Sequence, residues 1–296
     1  MASNDTSSSA LRPRRSVLYM PAANERALEK AKTIACDAII FDLEDAVSPD
    51  AKEAARANAV AAVNSGEYGH RELTIRCNGL DTPWGVDDLA AAAQTQAAAV
   101  VIPKVGSVKY LDEVADRLDR AGAQPDMVIW AMIETPSAVF DVRAIAAHWR
   151  VATLVMGTND LARELRAVLN APGRHPFVQH LATALLAARE AGKVALDGVF
   201  NDIKDEAGFR AECVQGCEMG FDGKTLIHPS QVDVANDVWS PSEAAIAHAR
   251  GLIAAFETGQ AEGKGVVTFD GRMIEHLHVA TARRTLAIAE AIAALG

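Results

Sequence analysis

Eight short apolar runs, each followed by a stretch of helical periodicity, set the narrowest limits on how this chain can fold. They are SVLYMP from Ser16, DAIIFDLED from Asp37, ELTIRCN from Glu72, AAVVIPK from Ala98, DMVIWAMIE from Asp126, VATLVMGTND from Val151, KVALDGVF from Lys193 and GKTLIHP from Gly223. Their centres fall 22 to 40 residues apart, which suits a strand, a loop and a helix each time. Parallel strands require such crossovers, and eight units of this kind match a (β/α)8 TIM barrel of ~250 residues. An open doubly wound sheet is the rival fold, but eight regularly spaced strands favour closure. The predicted division is a disordered tail over residues 1–13, a catalytic barrel over 14–240, and C-terminal helices forming an extension or lid over 241–296.

Half of the residues are apolar, enough for a substantial core, yet no run approaches the ~20 apolar residues of a membrane span. The opening MASNDTSSSALR is small and polar and lacks the apolar segment of a signal peptide, so a cytoplasmic location is expected. Cys36, Cys77, Cys213 and Cys217 show no disulfide-framework or zinc spacing and read as reduced thiols. With 29 basic and 39 acidic residues the formal charge is −10, which disfavours nucleic acid and leaves an anionic substrate in need of a local basic group.

Two of the runs carry the chemistry. The run from Asp126 leads into Glu134 and the run from Val151 into Asp160, with a helical interval between them. A βαβ unit makes these strands parallel neighbours, so the two carboxylates meet at adjacent strand ends. Such a pair suits a hard divalent cation with oxygen ligands, the other positions being left to water and substrate. The alternative is that each acid merely caps a helix. Thr135 and Pro136 fit N-cap and N1 of the next helix, which leaves Glu134 free.

At the C-terminal mouth of a barrel, where such enzymes place their chemistry, nearly every strand delivers a polar group. These are Tyr19 and Pro21, Asp42, Glu44 and Asp45, Arg76 and Asn78, Lys104, Glu134, Asn159 and Asp160, Asp197 and Asn201, and His228. Arg76 suits bidentate recognition of a carboxylate, or alternatively an ion pair with Asp42 or Glu44. Asp42, Glu44 and Asp45 are candidate acceptors for metal-bound water. Lys104 fits a sheet cap as well as a functional role, and His228 fits a turn. Ser48-Pro49 and the capping box Ser240-Pro241-Ser242-Glu243 mark helix starts. Beyond Val238, helices are expected over Ser242–Glu257 and Glu275–Leu295, joined by the glycine-rich GQAEGKGVVTFDGRM. That connection fits a mobile lid, an arm to a neighbouring subunit, or a plain link to a packed helix.

The segments RSVLYMPAANERALEKA, FDLEDAVSPDAKEAAR, RCNGLDTPW, VIPKVG, IETPSA, GTNDLA, DGVFNDIKD and GFDGKTLIHPSQVDVANDVWSPSE together resemble the citrate lyase β-subunit / malyl-CoA lyase family, from about Arg15 to the C-terminal helix. The resemblance implies a Mg²⁺-dependent barrel enzyme acting on a CoA thioester and a 2-oxo acid, assembled as a homotrimer or a hexamer. It implies metal ligation by Glu134 and Asp160 and carboxylate binding by Arg76. It also implies coenzyme A contacts at Tyr19 and Lys30, and substrate contacts at Asn159 and Pro229. An aspartate from an adjacent subunit serves the family as acid/base; here DGRMIEH puts Glu275 in its place, followed by the equally divergent His276 and Leu277. Asn24 stands where malyl-CoA lyase relatives carry a phosphate-binding arginine, with Arg26 as a candidate substitute. The leading expectation is carbon–carbon cleavage of malyl-CoA or citramalyl-CoA, Glu275 donating the proton. Malyl-CoA thioesterase, a citrate lyase β-subunit acting on a citryl thioester, and a non-catalytic metal- and oxo-acid-binding relative are the alternatives.

Overall fold

The computed structural model describes residues 11–169, 171–263 and 265–295; most of the expected N-terminal tail lies outside them. All eight expected strands form. They are β1 (Ser16–Pro21), β2 (Ala38–Asp42), β3 (Glu72–Arg76), β4 (Ala99–Ile102), β5 (Val128–Ile133), β6 (Val151–Met156), β7 (Val194–Asp197) and β8 (Gly223–Leu226). Each pairs in parallel with the next, and β8 returns to β1 through Ser16, Val17 and Leu18, so the sheet is a closed barrel. Inward-facing Val17, Ile40, Val101, Trp130, Met132, Val155 and Leu196 fill its interior as one apolar cluster. Because side chains alternate along a strand, the residues continuing those inward rows open at the barrel's C-terminal end.

The connecting helices are α1 (Glu25–Ala31), α2 (Lys52–Asn64), α3 (Gly85–Ala93), α4 (Val108–Arg120), α5 (Pro136–Ala147), α6 (Thr158–Leu165), α7 (Val178–Glu190), α8 (Glu206–Met219) and α9 (Val232–Val238). The longest expected interval, between β6 and β7, holds two of them, α6 and α7. Thr135 caps α5 as expected, its hydroxyl accepting from the Ala138 N–H at 3.1 Å, with Pro136 at N1. Phe140 on α5 is 86% exposed, and Ala138, Val142, Ile145 and Ala146 make the buried stripe. Ser48 precedes a 3-10 turn over Pro49–Ala51 and makes no side-chain cap; α2 follows at Lys52.

Arg14–Val238 form one compact unit, and the remaining described residues belong to a second. The second contains α10 (Glu243–Ala261), β9 (Val267–Phe269), β10 (Arg272–Ile274) and α11 (His276–Ala293). Ser242, not Ser240, caps α10, so the expected capping box starts two residues too early. The glycine-rich connection is an antiparallel hairpin of β9 and β10, turning at Asp270-Gly271 with both residues at positive φ. This unit has its own apolar core of Ala249, Leu252, Phe256, Ile274, Val279 and Ala282. No helix among the described residues is long and apolar enough to cross a membrane.

Candidate active site

A cavity of about 290 Å³ opens at the C-terminal end of the strands. Tyr19, Pro21, Asp42, Asp45, Arg76, Glu134, Asn159 and Asp160 line it together, with Met132, Met156, Gly157 and Ile227 among its apolar walls. The sequence-derived pairing of Glu134 with Asp160 thus converges on one space. Asp160 arrives from the first turn of α6, not from a strand end; β6 stops at Met156.

Arg76 closes β3 and is buried. Its Nε and Nη2 donate to Oδ1 and Oδ2 of Asp42, each at 2.6 Å, while Nη1 meets Glu44 at 2.7 Å and Asp45 at 3.3 Å. The guanidinium also lies over the Tyr19 ring, 4.8 Å from its centre. Burial works against the Asp42 carboxylate, but the Arg76 charge, its two hydrogen bonds and the N–H groups of Glu44 and Ala46 outweigh it and hold Asp42 below the usual range. The ion-pair option raised for Arg76 is therefore present, with Glu44 and Asp45 added to Asp42. Arg76 is clamped by structural acids, and an edge of it still faces the cavity.

Glu134 follows β5 and is 2% exposed. Its Oε1 accepts the Lys104 N–H at 2.6 Å, whereas Oε2 has no donor among the described residues. Burial first, then the nearby charges of Glu44 and Asp160, push its carboxyl up to about 8. Gly157 permits this placement, because a Cβ there would run into Oε2 and Cβ of Glu134. Asp160 is bound by Arg163 one turn along α6, Nη2 to Oδ1 at 2.6 Å. A magnesium ion fits this set. Glu134 carries an undonated oxygen amid excess negative charge, and Mg²⁺ is commonly held by one or two carboxylates with water and substrate completing the octahedron. Among the described residues no group of three or more His, Cys, Asp or Glu is placed to hold a metal ion, so here two carboxylates would leave the remaining positions to water and substrate.

Other expected groups lie elsewhere. Lys30 is exposed on α1 and Pro229 begins a 3-10 turn; neither lines the cavity. Glu275 lies at the N-cap of α11, its N–H donating to Nδ1 of His278 at 3.0 Å. Asn24 caps α1, its Oδ1 accepting from the Ala27 N–H, which gives that departure a local purpose. Asn24 and Arg26 border a groove that shares Pro21 and Ala46 with the cavity. His228 bonds Ser230 within its own turn. Asp197 is fully buried between Arg174 and Lys224 rather than open to the mouth. Asn201 reaches the rim by bonding Asn159.

The reading of the sequence missed Gly157 and Lys52. Buried Lys52 donates to the carbonyls of Leu43 and Glu44 and to Oδ1 of Asn78, fixing the loop that presents Glu44 and Asp45. The glycine that breaks the β6 run was a visible signal for Gly157; no local pattern marks Lys52.

Comparison with known proteins agrees with the closed barrel. The family model described as HpcH/HpaI aldolase/citrate lyase matches residues 15–229. A (3S)-malyl-CoA thioesterase of Cereibacter sphaeroides (strain ATCC 17025 / ATH 2.4.3) is 51% identical, covering 96% of this chain and 97% of that protein. An L-malyl-CoA/beta-methylmalyl-CoA lyase of Cereibacter sphaeroides (strain ATCC 17029 / ATH 2.4.9) is 34% identical, covering 96% of each. Among solved structures, the protein CitE from Mycobacterium tuberculosis in complex with magnesium, acetoacetate and coenzyme A superposes with a TM-score of 0.77 at 29% identity, covering 94% of this chain and 98% of that one. The chain belongs to the HpcH/HpaI aldolase/citrate lyase family, whose members here are enzymes, lyases and a thioesterase alike.

Proposed function

We propose that the protein hydrolyses the thioester of a 3-hydroxyacyl-CoA bearing a second carboxylate, with (3S)-malyl-CoA as the type substrate. One observation carries the reaction type: 51% identity to a thioesterase over nearly the whole of both chains, against 34% to the lyase. Hydrolysis therefore displaces carbon–carbon cleavage as the leading reading.

Glu134 and Asp160 are the residues to hold Mg²⁺, which when bound supplies a Lewis acid beside the hydroxy-acid oxygens. Arg76 binds the free carboxylate through its cavity edge, with Tyr19 beneath it and Asn159 beside the substrate. Asp42, Glu44 and Asp45 hold Arg76, and Asp42 and Asp45, which line the cavity, offer acceptors to metal-bound water. The groove at Asn24 and Arg26, together with Lys30 on the same helix, takes the coenzyme A phosphates, and Pro229 the substrate edge. In hydrolysis a water oxygen bonds to the thioester carbonyl carbon, the carbon–sulfur bond breaks and a proton passes to the departing thiolate. Glu275, supplied by a neighbouring copy in a trimer or hexamer, is the carboxylate assigned to that proton.

Lyase action is the second reading, favoured by the same Arg76, Glu134 and Asp160 cavity, which equally suits a 2-oxo acid product. The test is purified protein with malyl-CoA and Mg²⁺, both product halves read by mass spectrometry. Free coenzyme A with malate supports hydrolysis; acetyl-CoA with glyoxylate overturns it in favour of the lyase.

A further inference from the structure

Lys104, which stands beside the cavity without lining it, grips Glu134 and Glu44 by different means. It follows β4 with φ +50°, a left-handed backbone that a side chain-bearing residue adopts rarely and that costs energy unless the surroundings demand it. That backbone turns its N–H onto Oε1 of Glu134 at 2.6 Å. Its ammonium, on a side chain 46% exposed, reaches Oε1 of Glu44 at 3.1 Å. The other oxygen of Glu44 holds Nη1 of Arg76 at 2.7 Å. An unbroken line of contacts therefore runs from Arg76 through Glu44 and Lys104 to Glu134. Neither Glu44 nor Lys104 lines the cavity.

We propose that Lys104 is a positioning residue that fixes the spacing between the guanidinium that binds the substrate carboxylate and the acid that holds the metal. The proposal rests on the reading of Arg76 and Glu134 given above. A ligand that binds both groups at once needs that spacing, whereas the metal alone needs only Glu134 and Asp160. The two functions of Lys104 also separate chemically. Its N–H survives any substitution except proline, but its hold on Glu44 is lost with the ammonium. Without that cation, the Glu44 carboxylate keeps its ion pair with Arg76 and draws the guanidinium away from the incoming carboxylate.

The experiment is isothermal titration of Mg²⁺, then of glyoxylate and pyruvate at saturating Mg²⁺, into the full-length protein. Lys104→Met should weaken oxo-acid binding about 10-fold while leaving Mg²⁺ affinity within about twofold, because the N–H held on Glu134 survives the substitution and the ammonium held on Glu44 does not. Lys104→Arg should restore binding to within about twofold of the parent, and in a Glu44→Gln background Lys104→Met should change it by less than about twofold. Lys104→Gly, which keeps the left-handed backbone without strain, should behave as Lys104→Met does. An unchanged oxo-acid affinity, an equal loss of magnesium and oxo-acid binding, or a loss that persists in Glu44→Gln overturns the role of Lys104 alone. Parent protein that binds neither oxo acid with Mg²⁺ overturns the site assignment together with it.

Discussion

Gly157 passes so close to Glu134 that no side chain fits between them: a Cβ at position 157 would overlap both Oε2 and Cβ of the carboxylate residue and approach its Cδ to 3.1 Å. The approach of Glu134, which follows β5, to the start of α6, which carries Asp160, is thus set by a missing methyl group. Gly157→Ala should displace the Glu134 carboxylate by about an ångström, and such misplacement costs on the order of 100-fold in rate. Steady-state turnover and magnesium titration of the variant check this; unchanged values for both would show that the carboxylate does not need the space.

Arg76 and Asp42 form a buried, doubly hydrogen-bonded ion pair. Removing one partner leaves an uncompensated buried charge, at a cost of about 3–5 kcal/mol. Arg76→Met should show that loss in urea unfolding as well as loss of substrate binding. Arg76→Met with Asp42→Leu should recover much of the stability and none of the binding, which separates the structural from the functional share of the residue.

The Glu134 carboxyl, raised to about 8 from an ordinary 4.5, makes the metal-free protein bind a proton that the unfolded chain has lost. Between those values the folded state holds more protons, so its stability falls as pH rises through that window. Magnesium competes with the same proton. Thermal unfolding with and without Mg²⁺ should therefore show a stabilisation by the metal that grows from pH 6 to about pH 8. A metal effect independent of pH would place the ion elsewhere.

Asp197 has the opposite sign. Burial opposes its charge, but Lys224 and Arg174 more than compensate and hold its carboxyl below the ordinary 3.8. Its stabilising contribution is present above that value and is lost as pH falls through the lowered one. Asp197→Asn should cost no more than about 3–5 kcal/mol, because the buried ammonium of Lys224 loses one of its two carboxylate partners and keeps Glu212, measured by chemical denaturation at neutral pH.

Strands with two buried faces announce themselves as continuous apolar runs, which is why all eight were visible in the sequence. The meeting of Glu134 with Asp160 followed from the handedness of one βαβ unit, and the glutamate's freedom from capping followed from Thr135 and Pro136. What escaped depends on distant partners. The acids that ring Arg76 were named, but their joint grip on it comes from the register of β2 against β3, Asp42 opposite Arg76. Lys52 looks like any surface lysine until the loops fold beneath it, and Lys104 was named at the mouth without its double hold on Glu44 and Glu134. The hairpin of β9 and β10 has strands of three residues, too short to register against a glycine-rich background. Asp197 carries the same strand-end signature as a catalytic acid and is distinguished only by the two cations that bury it.

The separate apolar cluster beneath α10, the hairpin and α11 means that the tail bearing Glu275 is packed on its own terms. Glu275 and the residues after it therefore belong to a unit with a core of its own, and the cluster that fills the cylinder is built without them.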